Sequence, residues 1–286
     1  MSRTSPALRE ILELDPERDC QRIVYLDTVF EFPFDTTRSL EFALFRTFGS
    51  PSISALLDST GEFARRAQKR YDDTDLILST IAEAGYESDE GKHAIRLMNR
   101  MHRRFEIANE DFLYVLSTFV FEPIRWNGRF GWRPLVEQER QAAFHFWRAV
   151  GKRMAIAEIP ERYEELERYN EQYERTRFRY ADSNARVAAA SRDMFLAWFP
   201  GVPKRFGTLA IAAVMDERLR DAIGFPRPPR ALAETVAAGL RARAAAVRVL
   251  PPRRGPKLRT GLRRRTYPGG WRLAELGTTP PDAAGG

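Results

Sequence analysis

The sequence predicts an all-α protein: one helical domain over residues 1–250, followed by a basic tail rich in Pro, Arg and Gly over residues 251–286. Three observations predict it. Apolar residues recur at three- and four-residue spacing through most of the first 250 positions, the period of an amphipathic helix. No alternating run of convincing strand length occurs, and no internal repeat. A hydrophobic content of 43% in 286 residues is enough to bury one large core.

The elements follow in order. SPALREILEL opens the chain as a helix; RSLEFALFRTFG is a second, closed by Gly49, and PSISALLDST a third, with Pro51 in its first turn where a missing N–H costs nothing. GEFARRAQKRYDDTDLILSTIAEAG is a long helix ending at Gly85, and Ser88 is placed to cap the next one. Asn109 then opens DFLYVLSTFVFE, apolar nearly all round and so a central buried helix that Pro123 ends or kinks. VEQERQAAFHFWRAVGKRM, the stretch launched by Pro160 with Tyr163, Leu166, Tyr169 and Tyr173 inward, SNARVAAASRDMFLAWFP, a helix near 207–220 and ALAETVAAGLRARAAAVRVL complete the body.

Charge and composition narrow the function classes. The net charge is +7, yet no acid lies between Glu234 and Glu275, and that interval holds eleven basic residues from Arg241 to Arg272. The rest of the chain therefore carries 7 − 11 = −4. Nucleic-acid binding by the whole surface is excluded by this split. The tail is expected either to reach an anionic membrane surface or to dock on the acidic body through Tyr267 and Trp271, and docking is the favoured outcome. The N-terminus lacks the apolar stretch of a secretory signal, and FLYVLSTFVF, the longest apolar run, is too short to span a bilayer. A single cysteine, Cys20, excludes an intrachain disulfide and cysteine-ligated clusters. Cytoplasmic residence follows, at most with peripheral membrane contact.

The candidate chemistry sits on two helices. In IRLMNRMHRRF, Ile95, Met98, His102 and Phe105 share one stripe, whereas Arg96, Arg100, Arg103 and Arg104 lie mostly off it. His102 is thus a histidine among core residues. The spacing fits a core imidazole bonded to a backbone carbonyl; it also fits an axial haem ligand, since a porphyrin supplies the other four nitrogens. His93 and His145 lie off the apolar stripes, and the E-x-x-H at Glu90 and His93 stands alone where a di-iron site needs two such elements and two further carboxylates. Arg70 and Thr74 continue the stripe of Ile77 and Ile81. They fit an Arg paired with a neighbouring acid, or an Arg and a hydroxyl held near the histidine for a propionate or an oxygen-derived group. No dinucleotide-binding, Walker A or nucleophile-elbow pattern occurs.

KRYDDT (69–74), MNRMHRRF (98–105), NEDFLYVLSTFVFEPIRWNGRFGWRPL (109–135) and FWRAVGKRMAIAEIP (146–160) resemble the MpaB family of oxygenases, which shares a catalytic-domain family with the latex-clearing rubber oxygenases. DMFLAWFP, GFPRPP and RRTYPGGW extend the resemblance over most of the chain. It implies a globin-like helical core with additional helices holding haem b. His102 matches the proximal iron ligand; Arg70 and Thr74 match the distal-side motif, with catalytic and cofactor-binding roles. One departure stands out: the rubber oxygenases carry a distal lysine just before the threonine, and here that position is Asp73. Their glutamate base has no motif-fixed counterpart, although Glu62 lies in the neighbouring segment. The expectation is an oxygenase using O₂ on an apolar, isoprenoid or lipid-like substrate. A haem- or lipid-binding protein without turnover and a structural helical protein with a membrane- or nucleic-acid-contacting tail are the alternatives.

Overall fold

Residues 4–277 are described by the computed structural model, and they form an all-helical body. At its centre is α7 (Asn109–Phe130), with Tyr114, Val120 and Phe121 almost wholly buried. Around it pack α3 (Pro33–Thr47), α8 (Glu137–Arg153), α9 (Tyr163–Arg177) and α13 (Arg230–Val249). On the other side α5 (Glu62–Ala84) pairs with α6 (Asp89–His102), and α10 (Asp182–Leu196) covers α5 and α4 (Pro51–Ser59). Completing the body are α1 (Pro6–Glu13), α2 (Cys20–Leu26) against α8, α11 (Lys204–Ala212) and α12 (Glu217–Ile223).

Several boundaries depart from the sequence reading for local reasons. Pro123 neither ends nor breaks α7: the helix runs seven residues beyond it, and the Asn127 side chain donates to the Pro123 carbonyl at 2.9 Å. The helix expected near 207–220 is two, α11 and α12, with the second started afresh by Asp216, whose side chain accepts from the Leu219 N–H. Between α2 and α3 the chain makes a π-helical turn, Asp27–Glu31, which no simple period encodes. The stripe through His102 stops there; Phe105 lies past the end of α6 and is exposed.

Two apolar clusters make the core. One is built on α2, α5, α6, α7 and α8, the other on α3, α10, α11 and α12. Buried charge ties the layers: the Arg46 guanidinium on α3 donates to Glu174 on α9 at 2.8 Å and to Asp216 at 2.6 Å, and lies 3.3 Å from Glu122 on α7.

Past α13 the chain, residues 251–277, forms a strap along the acidic edge of α5. Thr266 donates to Asp72 through its hydroxyl at 2.6 Å and its N–H at 3.0 Å, and the Arg259 N–H donates to Glu83 at 2.6 Å. Arg259 and Arg264 both reach Asp75, at 2.5 Å each. The Tyr267 hydroxyl donates to Asp73 at 2.5 Å, Trp271 donates its indole N–H to the Thr260 carbonyl at 3.0 Å, and Leu276 enters the first apolar cluster. Four carboxylates of one helix hold this segment: Asp75 meets two arginines, and Asp72, Asp73 and Glu83 take hydroxyl and backbone N–H donors.

Candidate functional site

Between the two apolar clusters lies a cavity of about 450 Å³, walled by α3 to α8 and touched at one edge by Gly277 of the strap. Its apolar walls include Leu44, Ile77, Phe112, Phe119 and Trp147. His102, Arg70 and Thr74, separated by up to 32 positions in sequence, all line it.

Local structure explains how they arrive there. Ser88 caps α6 by accepting from the Gly91 N–H at 2.9 Å; Asp89 and Glu90 then sit in the first turn and Arg100 in the last, each complementing the helix dipole. The helix therefore extends with conviction to its last residue, His102. On α5, Gly61 takes the left-handed conformation at φ 65° before the helix begins, and Arg66 interrupts it at φ −142°, ψ 41°. One turn later the α5 face bearing Arg70, Tyr71, Thr74 and Leu78 looks onto the cavity.

His102 stacks edge-on against Phe112 at 5.2 Å, and its Nδ1 is buried without a hydrogen-bond partner. Burial first, then the positive charge of Arg70, pushes its pKa down to about 4. At neutral pH the imidazole is uncharged, with a ring nitrogen unused. Arg70 is equally unusual. Its guanidinium donates to Thr74 Oγ1 at 2.5 Å and lies 5.9 Å from the Phe63 ring centroid, while Thr74 donates back to the Arg70 carbonyl at 2.9 Å. Among the described residues no carboxylate forms an ion pair with Arg70, and burial lowers its pKa. A desolvated cation fixed by a neighbouring hydroxyl is a receptor for an anionic group.

The remaining sequence candidates separate cleanly. His93 is exposed. His145 is half-buried beside Phe144 and 3.9 Å from Glu17, on no wall of this cavity. Glu62 does line the cavity but is paired with Arg66 at 2.6 Å. Asp73, in the family's lysine position, is held by Lys69 at 2.6 Å, by Tyr267, and by the Gly277 N–H at 2.9 Å. Sequence reasoning missed Glu41. It lines the cavity from α3, accepts from Tyr71 at 2.7 Å and Arg38 at 2.6 Å, and burial raises its pKa to about 7 against the pull of those neighbours. The signal was present: Thr37, Leu40, Glu41 and Leu44 share one helical face, and a carboxylate in that stripe needed a reason.

With the site's geometry in view, comparison with known proteins is direct. Residues 43–250 match the family described as ER-bound oxygenase mpaB/B'/Rubber oxygenase, catalytic domain. The chain belongs to this family. ER-bound oxygenase mpaB of Penicillium roqueforti (strain FM164) is 30% identical over 214 residues, covering 68% of this chain and 71% of that protein. ER-bound oxygenase mpaB' of Penicillium brevicompactum is 29% identical over 243 residues, covering 78% of this chain and 57% of that protein. A third relative, mpaB of Penicillium brevicompactum, is 35% identical over 133 residues, 44% of this chain and 34% of its own length. All three cavity candidates fall inside the span of the family match. This member of the MpaB and rubber oxygenase family is thus an oxygenase domain, an oxidoreductase. Among its described residues no helix is long and apolar enough to cross a membrane, and no group of three or more His, Cys, Asp or Glu side chains could hold a metal ion.

Proposed function

We propose that the chain is a haem b-dependent oxygenase acting with O₂ on an apolar, isoprenoid or lipid-like substrate, with His102 as the axial iron ligand. The observation that carries this reading is the unpartnered, neutral imidazole of His102 on the wall of an apolar cavity. A solitary histidine makes a poor metal site by itself; it suits a cofactor that brings its other iron ligands with it. Arg70 is the second fit: a half-buried cation that forms no ion pair with a carboxylate among the described residues would hold a propionate, and Thr74 fixes its orientation.

When bound, haem would supply a redox-active iron through which ground-state dioxygen can react with carbon. The protein's own groups do the rest. The apolar walls take up the substrate and exclude bulk water. Arg70 presents N–H donors toward negative charge that develops in the cavity, and Thr74, whose own O–H is given to the Arg70 carbonyl, holds the guanidinium in place. Glu41, held near neutrality, can take or return a proton there. With Asp73 in place of the family's lysine and bound up with Lys69 and the strap, no side-chain amine is offered in its stead from that position. Haem-loaded protein should therefore lack a signal from a side-chain amine at the iron.

The test is spectral and then catalytic. Purified protein supplied with haem should show a stoichiometric Soret band, and electron paramagnetic resonance should lack a low-spin bis-nitrogen signal. Oxygen uptake on adding a candidate alkene then separates an oxygenase from a haem carrier; haem bound without any uptake across an alkene panel would favour the carrier.

A further inference from the structure

The end of the turn between α10 and α11 together with the first turn of α11, WFPGVPKRF over residues 198–206, exposes three large apolar side chains in eight positions. Phe199 and Phe206 are 56% and 53% exposed, and Val202 is 38%. They are not loose. Pro200 and Pro203 restrict the backbone, the Phe199 N–H donates to the Leu196 carbonyl, and the Val202 N–H donates to the Phe199 carbonyl, both at 2.9 Å. Scattered single apolar residues are normal on a surface, but three held outward together are not.

Two further observations say what covers them. The first is charge. No acid occurs from residue 194 to residue 215, Arg205 adjoins Phe206, and the Arg265 guanidinium of the strap lies 5.7 Å from the Trp198 ring centroid. Arg205 and Arg265 are exposed, and neither has a carboxylate partner among the described residues. A two-fold contact between copies would set these like charges face to face. The second is position. Trp198 donates its indole N–H to Gln68 at 2.7 Å and packs edge-on against Tyr71 at 5.3 Å, and Tyr71 lines the cavity. Trp198, the chain neighbour of Phe199, thus packs directly on a residue of the cavity wall.

We propose that this loop docks the protein on an anionic lipid surface, with Phe199, Val202 and Phe206 entering the boundary between headgroups and acyl chains and Arg205 and Arg265 meeting lipid phosphates. Aromatic rings with adjoining arginines are the side chains that this boundary favours. The membrane contact that the sequence left as the tail's alternative moves to this surface: Arg259 and Arg264 face Asp75 on α5, and the strap contributes Arg265. The proposal stands on the surface alone and does not require haem, but it gives an apolar substrate a short path from bilayer to cavity.

Co-sedimentation of the full chain with phosphatidylcholine vesicles, with and without phosphatidylglycerol, tests it. Wild-type protein should bind the anionic vesicles, less so at high salt, and brominated acyl chains should quench its tryptophan fluorescence. Phe199→Ser with Phe206→Ser should lower vesicle affinity by on the order of tenfold or more, with an unchanged circular dichroism spectrum because both side chains are exposed. Arg205→Glu should weaken binding to the anionic vesicles only. The proposal is overturned if wild-type protein does not bind anionic vesicles, or if the double Ser variant binds as well as wild type. It is equally overturned if that variant instead abolishes a self-association seen in the ultracentrifuge, which would make the occupant a second copy.

Discussion

Replacing Asp75 by Asn should release the strap that borders the cavity. One Asp75 oxygen accepts from Arg259 at 3.0 and 2.5 Å; the other lies 2.5 Å from Arg264 but misaligned, an ion pair rather than a hydrogen bond. Side-chain exposure is 10% for the aspartate and 12% and 7% for the arginines, so solvent screens little. Removing one partner of a buried pair leaves charge uncompensated, at a cost of about 3–5 kcal/mol. The lower figure applies, because Arg259 keeps Thr37 and Arg264 keeps the Arg259 carbonyl at 2.8 Å. The strap can leave without unfolding the helices, so the loss should appear first as local opening, with the open population rising on the order of a hundredfold. Limited trypsin digestion reads it: Asp75→Asn should be cut within residues 251–277 far faster than wild type, while the helical core survives. Asp75→Glu should sit in between. Equal cleavage rates for wild type and Asp75→Asn would refute the claim that this ion cluster holds the strap.

Three further outcomes follow from the same structure. Arg70→Met removes a desolvated cation without a carboxylate partner, so cofactor-free protein should gain about 1–2 kcal/mol of stability while haem affinity falls; melts and haem titrations check both, and a destabilised variant contradicts the reading. Glu41 is raised from 4.5 to about 7 by burial. An acid raised on folding gives stability that is full below its unfolded value and lost as pH climbs through the folded one. Wild type should therefore lose up to about 3 kcal/mol relative to Glu41→Gln between pH 5 and pH 8, seen in urea midpoints; parallel pH curves for the two proteins would rule this out. A Cβ on Gly91 would lie 1.9 Å from the Gly85 carbonyl oxygen, backbone that cannot step aside. Gly91→Ala should cost about 2 kcal/mol or more by forcing α6 to shift, lowering the melting temperature; an unshifted melt would show that the α6 start is softer than its cap implies.

What the sequence made legible was whatever has a short period or a local signal. The helical class, the Ser88 cap, the buried α7 and the inward side of His102 and Arg70 were all readable from three- and four-residue spacing. The charge split between body and tail was readable as well, since eleven basic residues facing a body of net −4 need a partner. Partner choice was not: that Asp72, Asp73, Asp75 and Glu83 form one edge and are met by strap residues from Arg259 to Tyr267 is a tertiary fact. Glu41 was hidden for the same reason, because a single carboxylate in an apolar stripe gains meaning only when Tyr71 from α5 and Arg38 close around it. The π-helical turn escaped because no simple residue period encodes it, and a proline inside an apolar run leaves open whether the helix ends or runs on, as α7 does for seven residues.

The central claim rests on one imidazole, and one titration tests it most directly. Wild-type protein, His102→Ala, His93→Ala and His145→Ala should each be titrated with haem and followed by the Soret band. The account predicts one haem per chain for wild type and for the His93 and His145 variants, and no saturable band for His102→Ala at an unchanged helical circular dichroism signal. A normal haem spectrum in His102→Ala, or its loss in either of the other two, would contradict it.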